Sequence, residues 1–115
     1  MIGTGSAASS SITPPGFAGG GKGGAGHARG HLLGKQLGGS GKDPRNLVTL
    51  YQNPVNSPVM RDFETSVRRV VEKGQTVNYS ATPVYKGEEL IPSAVTIKAV
   101  GNDGFQLDVT ILNRK

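Results

Sequence analysis

Hydrophobic positions change their period along this chain. Met60, Phe63, Val67, Val70 and Val71 recur at spacings of three and four, which builds one apolar stripe on a helix. Ser57 suits its N-cap, Pro58 its first helical position, Asp62 and Glu64 the early turns where the helix dipole favours carboxylates, and Gly74 its close. At roughly 100° per residue, Glu64 falls about 40° from Met60, on the edge of the stripe. A carboxylate there is partly buried and should have a partner.

After Gly74 the period drops to two. Val77, Tyr79 and Ala81 alternate with polar residues, as do Val95, Ile97 and Ala99, and then Phe105, Leu107, Val109 and Ile111, which predicts three strands. Gly101-Asn102-Asp103-Gly104 joins the last two as a hairpin, and Pro83 assigns the end of the first to an edge or bulge. The expected class is α+β, one main helix packed on an antiparallel sheet. A glycine-rich, polar, irregular segment precedes the helix, and a site is expected there.

Residues 1 to 26 have no period, and beyond the initial Met1 their large apolar side chains are the well-separated Ile2, Ile12 and Phe17. Such a stretch buries too little surface to offset its ordering entropy. It is expected to be a flexible Gly/Ser/Pro-rich linker, with a domain over residues 27 to 115 and further chain upstream in a longer protein. Composition agrees: 14 of the 18 glycines lie in the first 41 positions. Gly16 to Lys22 imitates a phosphate loop, but Gly23 stands where a Ser or Thr is needed and no strand precedes it. With no cysteine there is neither a disulfide framework nor thiolate chemistry. No run approaches the roughly eighteen apolar residues of a membrane span, and the basic and apolar blocks of a signal peptide are missing.

The net charge of +5 is unevenly laid out. Residues 1 to 41 hold Lys22, Arg29 and Lys35 and no carboxylate, whereas the rest holds ten basic and eight acidic groups. An excess of this kind favours polyanions such as nucleic acid.

Chemistry concentrates between Arg29 and Glu64. Imidazole is the side chain type suited to take a proton from water near neutral pH, which makes His31 a candidate general base; the bland alternative is a hydrogen-bonded histidine beside Leu32 and Leu33. Asn56 precedes Glu64 by eight residues, about 12 Å if helical, too far for both to ligate one ion directly. Helical side chains lean toward the N-terminus, so Glu64 could reach a water on a magnesium ion held by Asn56. The alternatives are a turn residue for Asn56 and an i to i+4 pair with Arg68 for Glu64. His27 and His31 have a zinc-like spacing only if helical, and the flanking glycines argue against that. Neither GxSxG, nor CxxC, nor paired catalytic carboxylates occur.

The ordered series Arg29-Gly30-His31-Leu32-Leu33-Gly34, Leu37-Gly38-Gly39, Arg45-Asn46-Leu47-Val48, and Asn56 with Met60 and Glu64 at fixed intervals resembles the DNA/RNA non-specific endonuclease family of the ββα-metal (His-Me finger) superfamily. The similarity continues through Val67-Arg68-Arg69, Val77-Asn78-Tyr79, Pro83-Val84-Tyr85, Ile91-Pro92-Ser93 and Ile111-Leu112-Asn113. The resemblance implies that His31 is the general base, Asn56 the ligand of one magnesium (manganese being the alternative ion), Glu64 a group acting on that ion through water, Asn46 a residue positioning substrate or histidine, and Arg29 a phosphate or loop contact. Asn53 is a second candidate ligand, because the loop from Asn46 to Asn56 is one residue longer than usual. Ala28 stands where the family often has aspartate, and larger members have strands before the histidine motif.

The resemblance also implies that DNA, and RNA as well, is cut; sequence preference is expected to be weak, because Lys35, Lys42, Arg45, Arg61 and Arg68 suit phosphate contacts rather than base reading. The expected setting is the toxin module of a secreted bacterial effector, delivered within a longer polypeptide to the target cell's cytoplasm and opposed by an acidic cognate immunity protein. The alternative from another class is a non-catalytic nucleic-acid-binding module with a degenerate site.

Overall fold

The computed structural model describes residues 5–20 and 24–114; the parts of the expected linker at 1–4 and 21–23 lie outside the described residues. Five strands and one regular helix follow in the order β1 (His27–His31), β2 (Leu47–Tyr51), α1 (Arg61–Glu72), β3 (Val77–Val84), β4 (Ala94–Gly101) and β5 (Gln106–Leu112). The three predicted strands form an antiparallel sheet in the order β3-β4-β5, with Val77 opposite Gly101 and Ala94 opposite Leu112. Pro83 lies on β3, an edge strand, where its missing N–H breaks no ladder bond toward a further neighbour. Asn102 to Gly104 make the turn of the predicted hairpin, closed by the Gly101 N–H donating to the Phe105 carbonyl at 2.8 Å.

The helix begins later than its sequence signals suggest. Residues 52–60 form an irregular helical stretch interrupted by extended backbone at Asn53 (φ −121°, ψ 127°) and Ser57 (φ −141°, ψ 123°), and regular α geometry starts at Arg61. Ser57 keeps the extended backbone of a residue standing just outside a helix. Gly74, at φ +100°, closes the helix as predicted, and its N–H donates to the Val71 carbonyl at 3.0 Å.

The segment before the helix is more regular than expected. β1 and β2 make an antiparallel ribbon in which Ala28 and Gly30 pair with Leu50 and Val48, and Arg29 pairs with Thr49. The pattern was invisible because β1 carries only Ala28 and Gly30 on its core-facing side, and because β2 is a short run buried at four of its five positions.

Val48 and Leu50 of β2, Val55 and Met60 from the irregular stretch, Val95 and Ile97 of β4 and Ile111 of β5 form the main core. Val67 of α1 joins Leu37 and Ala99 in an adjoining cluster, so the helical stripe packs on the sheet as predicted. Each such large side chain contributes about 2 kcal/mol by leaving water. Asn113 ties the two sheets together: its Oδ1 accepts from the Tyr51 N–H at 2.9 Å, and its Nδ2 donates to the Thr49 and Pro92 carbonyls at 3.1 and 2.8 Å. Among the described residues, no helix is long and apolar enough to cross a membrane.

The stretch from 5 to 20 has no helix or strand, yet it does not hang free as a flexible linker would. It lies along the ribbon, where Thr49 Oγ1 donates to the Pro15 carbonyl at 2.9 Å and Arg29 holds the Ile12 carbonyl at 2.7 Å. Backbone polar groups, rather than the few large side chains, supply much of the attachment; composition therefore gives little sign of it.

Candidate active site

β1 ends on His31, the irregular stretch before α1 presents Asn56, and the first turn of α1 presents Glu64. These three side chains line one cleft of about 390 Å³, together with Gly34, Lys35, Gln36, Ser57, Arg61 and Thr65. Their separation in sequence is closed by the tertiary fold: the β1-β2 ribbon and α1 pack on the same core and leave the cleft between them.

Glu64 is 8% exposed and has no ion-pair partner among the described residues. Burial raises its carboxyl from the ordinary 4.5 to about 7, against a smaller opposing effect of a hydrogen bond with Gln36. The predicted partner is therefore an amide, and Arg68 pairs instead with Glu72 at 3.5 Å. Gly34 makes room for the carboxylate: a Cβ there would overlap it. Gln36 was not legible as a site residue, since nothing in its local pattern distinguishes it from a solvated glutamine. Its Nε2 donates to Thr65 Oγ1 at 3.1 Å and to the Arg61 carbonyl at 3.3 Å, pinning the turn after β1 to the helix.

Asn56 Nδ2 donates to Gln52 Oε1 at 3.0 Å, which orients the amide and leaves its Oδ1 as an acceptor. Asn53 does not line the cleft, so of the two proposed ligands only Asn56 stands there with Glu64. An amide oxygen and a buried carboxylate without a cation are oxygen donors of the kind that hard divalent ions prefer, and so few protein ligands suit an ion that keeps several waters. The residues present fit such an ion. No group of three or more His, Cys, Asp or Glu that could hold a metal occurs among the described residues.

Apart from Lys35 and Arg61, the other predicted residues lie outside the cleft. Asn46 is saturated by backbone: its Oδ1 accepts from the Leu33 N–H at 2.8 Å, and its Nδ2 donates to the Leu33 and Ser40 carbonyls at 2.9 and 3.0 Å. It clamps the turn that follows His31. Arg29 bonds the Ile12 and Ser10 carbonyls and stacks over the Phe17 ring at 4.3 Å. Arg45 is paired with Asp43 at 2.9 Å, and that guanidinium holds the Asp43 carboxyl below its ordinary value. Lys42 is exposed and Arg68 borders a smaller neighbouring cavity with Gly5, Lys35 and Gln36. Lys35 and Arg61 are thus the predicted phosphate contacts that line the cleft itself.

Tyr79, on β3, reaches across to donate to the Leu32 carbonyl at 3.2 Å, next to His31. Burial and the nearby Glu64 charge both raise its hydroxyl above its ordinary value, so it stays a protonated donor. His27 and His31 lie on a strand with different partners, as the absence of helical flanks suggested: His27 Nδ1 accepts from the Ala18 N–H at 2.9 Å, and His31 Nε2 lies 2.9 Å from the Ser6 carbonyl.

Eight chains of solved structures match this one. Among them is the Sda1 nuclease with a bound zinc ion, at 32% sequence identity and a TM-score of 0.71 over 77% of this chain. The match spans 40% of that nuclease chain, so this chain accounts for about two fifths of its length. No protein of curated function matches at a significant level. A ribbon that delivers a histidine to a cleft beside a helix carrying a buried glutamate is the arrangement the sequence motifs implied, and the model of the DNA/RNA non-specific endonucleases matches residues 1–102. The chain belongs to the DNA/RNA non-specific endonuclease family.

Proposed function

We propose that this chain is a metal-dependent endonuclease that hydrolyses phosphodiester bonds of DNA and RNA without marked sequence preference. One observation carries this: His31, Asn56 and Glu64, from three separate parts of the chain, line a single cleft that Lys35 and Arg61 also border. Family membership and a zinc-binding nuclease of similar fold support it. A divalent ion held through Asn56, with Glu64 acting through an intervening water, would supply positive charge against that developing on the phosphate and the leaving oxygen. Magnesium is the proposed ion, manganese and zinc the comparisons to make.

His31 takes a proton from the attacking water, whose oxygen bonds to phosphorus as the bond to the 3′ oxygen breaks. The leaving 3′ oxygen takes a proton from a water in the cleft, so the products are a 5′ phosphate and a 3′ hydroxyl. A 2′-hydroxyl has no part in this sequence of events, so both nucleic acids qualify as substrates. Lys35 and Arg61 hold flanking phosphates, which sets register but reads no base.

Plasmid digestion tests the proposal. Cutting is expected with magnesium and not with EDTA, and His31→Ala should slow it by about 100-fold or more. Equal cutting by His31→Ala and the parent would sink the mechanism, while intact DNA throughout, with a salt-dependent gel shift, would mark a binding module instead. The setting we propose is the toxin module of a secreted bacterial effector, acting in the target cell's cytoplasm and neutralised by an acidic cognate protein that covers Lys35 and Arg61. Toxicity on cytoplasmic expression, relieved by a small acidic protein encoded next to it, is the expected outcome; harmless expression of active enzyme counts against it.

A further inference from the structure

The side chains of β1 that face away from the core are His27, Arg29 and His31, and all three hold the backbone of residues 5–20. His27 takes the Ala18 N–H, Arg29 donates to the Ile12 and Ser10 carbonyls, and His31 Nε2 meets the Ser6 carbonyl at 2.9 Å. Ser6 is fixed from the opposite side as well. Its N–H donates to the Gly39 carbonyl at 3.0 Å, its Oγ accepts from the Gly41 N–H at 2.8 Å, and the Ser9 N–H donates to the Gly41 carbonyl at 2.7 Å. Small residues permit this approach: a Cβ on Gly5 would overlap the Lys35 carbonyl, and one on Gly41 would overlap the Ala7 backbone.

A carbonyl oxygen can only accept, so the His31 Nε2 must carry the proton in this contact, and in a neutral ring Nδ1 is then the atom with a free lone pair. We propose that residues 5–9 form a strap whose Ser6 carbonyl is a positioning group for His31, fixing the ring and its Nε2–H tautomer so that Nδ1 takes the proton from water. The strap also accepts the charge that follows, because the imidazolium formed keeps its Nε2–H bond to Ser6. This rests on His31 being the general base. The segment that composition marks as a linker is thereby part of the catalytic apparatus.

Two substitutions in the full chain lift the strap: Gly41→Ala, which clashes with the Ala7 backbone away from the cleft, and Gly5→Val, which clashes with the Lys35 carbonyl at the cleft's edge. Long-range proton–nitrogen NMR spectra at about pH 8, where an imidazole is neutral, should show a protected Nε2–H for His31 in the parent. That signal should be lost to solvent exchange in both variants, while the amide signals of β4 stay in place. In plasmid cleavage by Gly41→Ala, kcat should fall about ten-fold with KM little changed, a partial loss of the orientation that makes a general base effective. An unprotected Nε2–H in the parent, or equal protection in both variants, overturns the strap. A rise in kcat overturns the positioning role as well, since the strap would then be blocking the histidine. If instead His31→Ala cuts as fast as the parent while the NMR signature behaves as expected, the general-base assignment fails and the strap contact stands.

Discussion

A carboxylate buried without a cation beside it favours its protonated form, and Glu64 is in that position. Its rise from 4.5 to about 7 has a definite consequence for stability. The group is protonated in both folded and unfolded chains below about pH 4.5, where its contribution is fully present; as pH climbs from about 4.5 to about 7 the unfolded chain alone gains from ionisation, and that contribution is lost. At about 1.4 kcal/mol per pH unit the loss is about 3 kcal/mol. Metal-free protein should therefore lose stability relative to Glu64→Gln between about pH 4.5 and 7, read from denaturant midpoints, and a divalent ion should restore it above about pH 7. Parallel pH profiles for the two proteins would contradict this. Gly34 offers a second test at this scale. Its backbone is ordinary (φ −67°, ψ 158°), so Gly34→Ala acts through space alone, pushing a methyl into the Glu64 carboxylate. Ion affinity, followed by isothermal titration, should drop by about ten-fold or more, in line with changes to groups that orient a metal site.

Among the elements, α1 and the three-stranded sheet were legible because each buries one face, and a buried face imprints its period on the sequence. Met60 and Val67 among the helical positions and Val95, Ile97 and Ala99 on β4 lie in the core as their spacing required. The ribbon was not legible as strands: its outward side chains are His27, Arg29 and His31, whose partners lie far along the chain, and Gly30 is on the core side because the Leu50 side chain fills the space of a Cβ. Resemblance to a family with a ββα core anticipated what periodicity could not. The joint between ribbon and sheet rests on Asn113, 6% exposed, with three backbone partners. Asn113→Ala would strand those buried groups and should cost about 3 kcal/mol in urea unfolding. A cost below about 1 kcal/mol would mean that water replaces the amide at that joint.

For the molecule as a whole, the net charge of +5 matters less than which charges meet at the cleft. Lys35 and Arg61 line it, whereas Arg45 and Arg68 are engaged by Asp43 and Glu72. Substrate binding should weaken with added salt, and replacing both Lys35 and Arg61 by glutamine should lower the slope of log affinity against log salt by about 2 for duplex DNA, nearly one per lost phosphate contact. Replacing Lys42 and Arg45 instead should change it less; gel shifts with His31→Ala across a salt series provide the comparison. The sequence alone determined the helix and its closing glycine, the three-stranded sheet and, through its motifs, the histidine, asparagine and glutamate on which the proposed chemistry turns, because periodicity and motif spacing are local quantities. Tertiary structure decided that Asn56 rather than Asn53 lines the cleft with them, that Gln36 rather than Arg68 meets Glu64, and that the glycines after His31 admit the protein's own groups: Gly34 the Glu64 carboxylate and Gly41 the Ala7 backbone. It decided as well that residues 5–20 bind the ribbon. Their attachment is made by backbone carbonyls and N–H groups, which every residue carries alike, so no choice of side chain announces it.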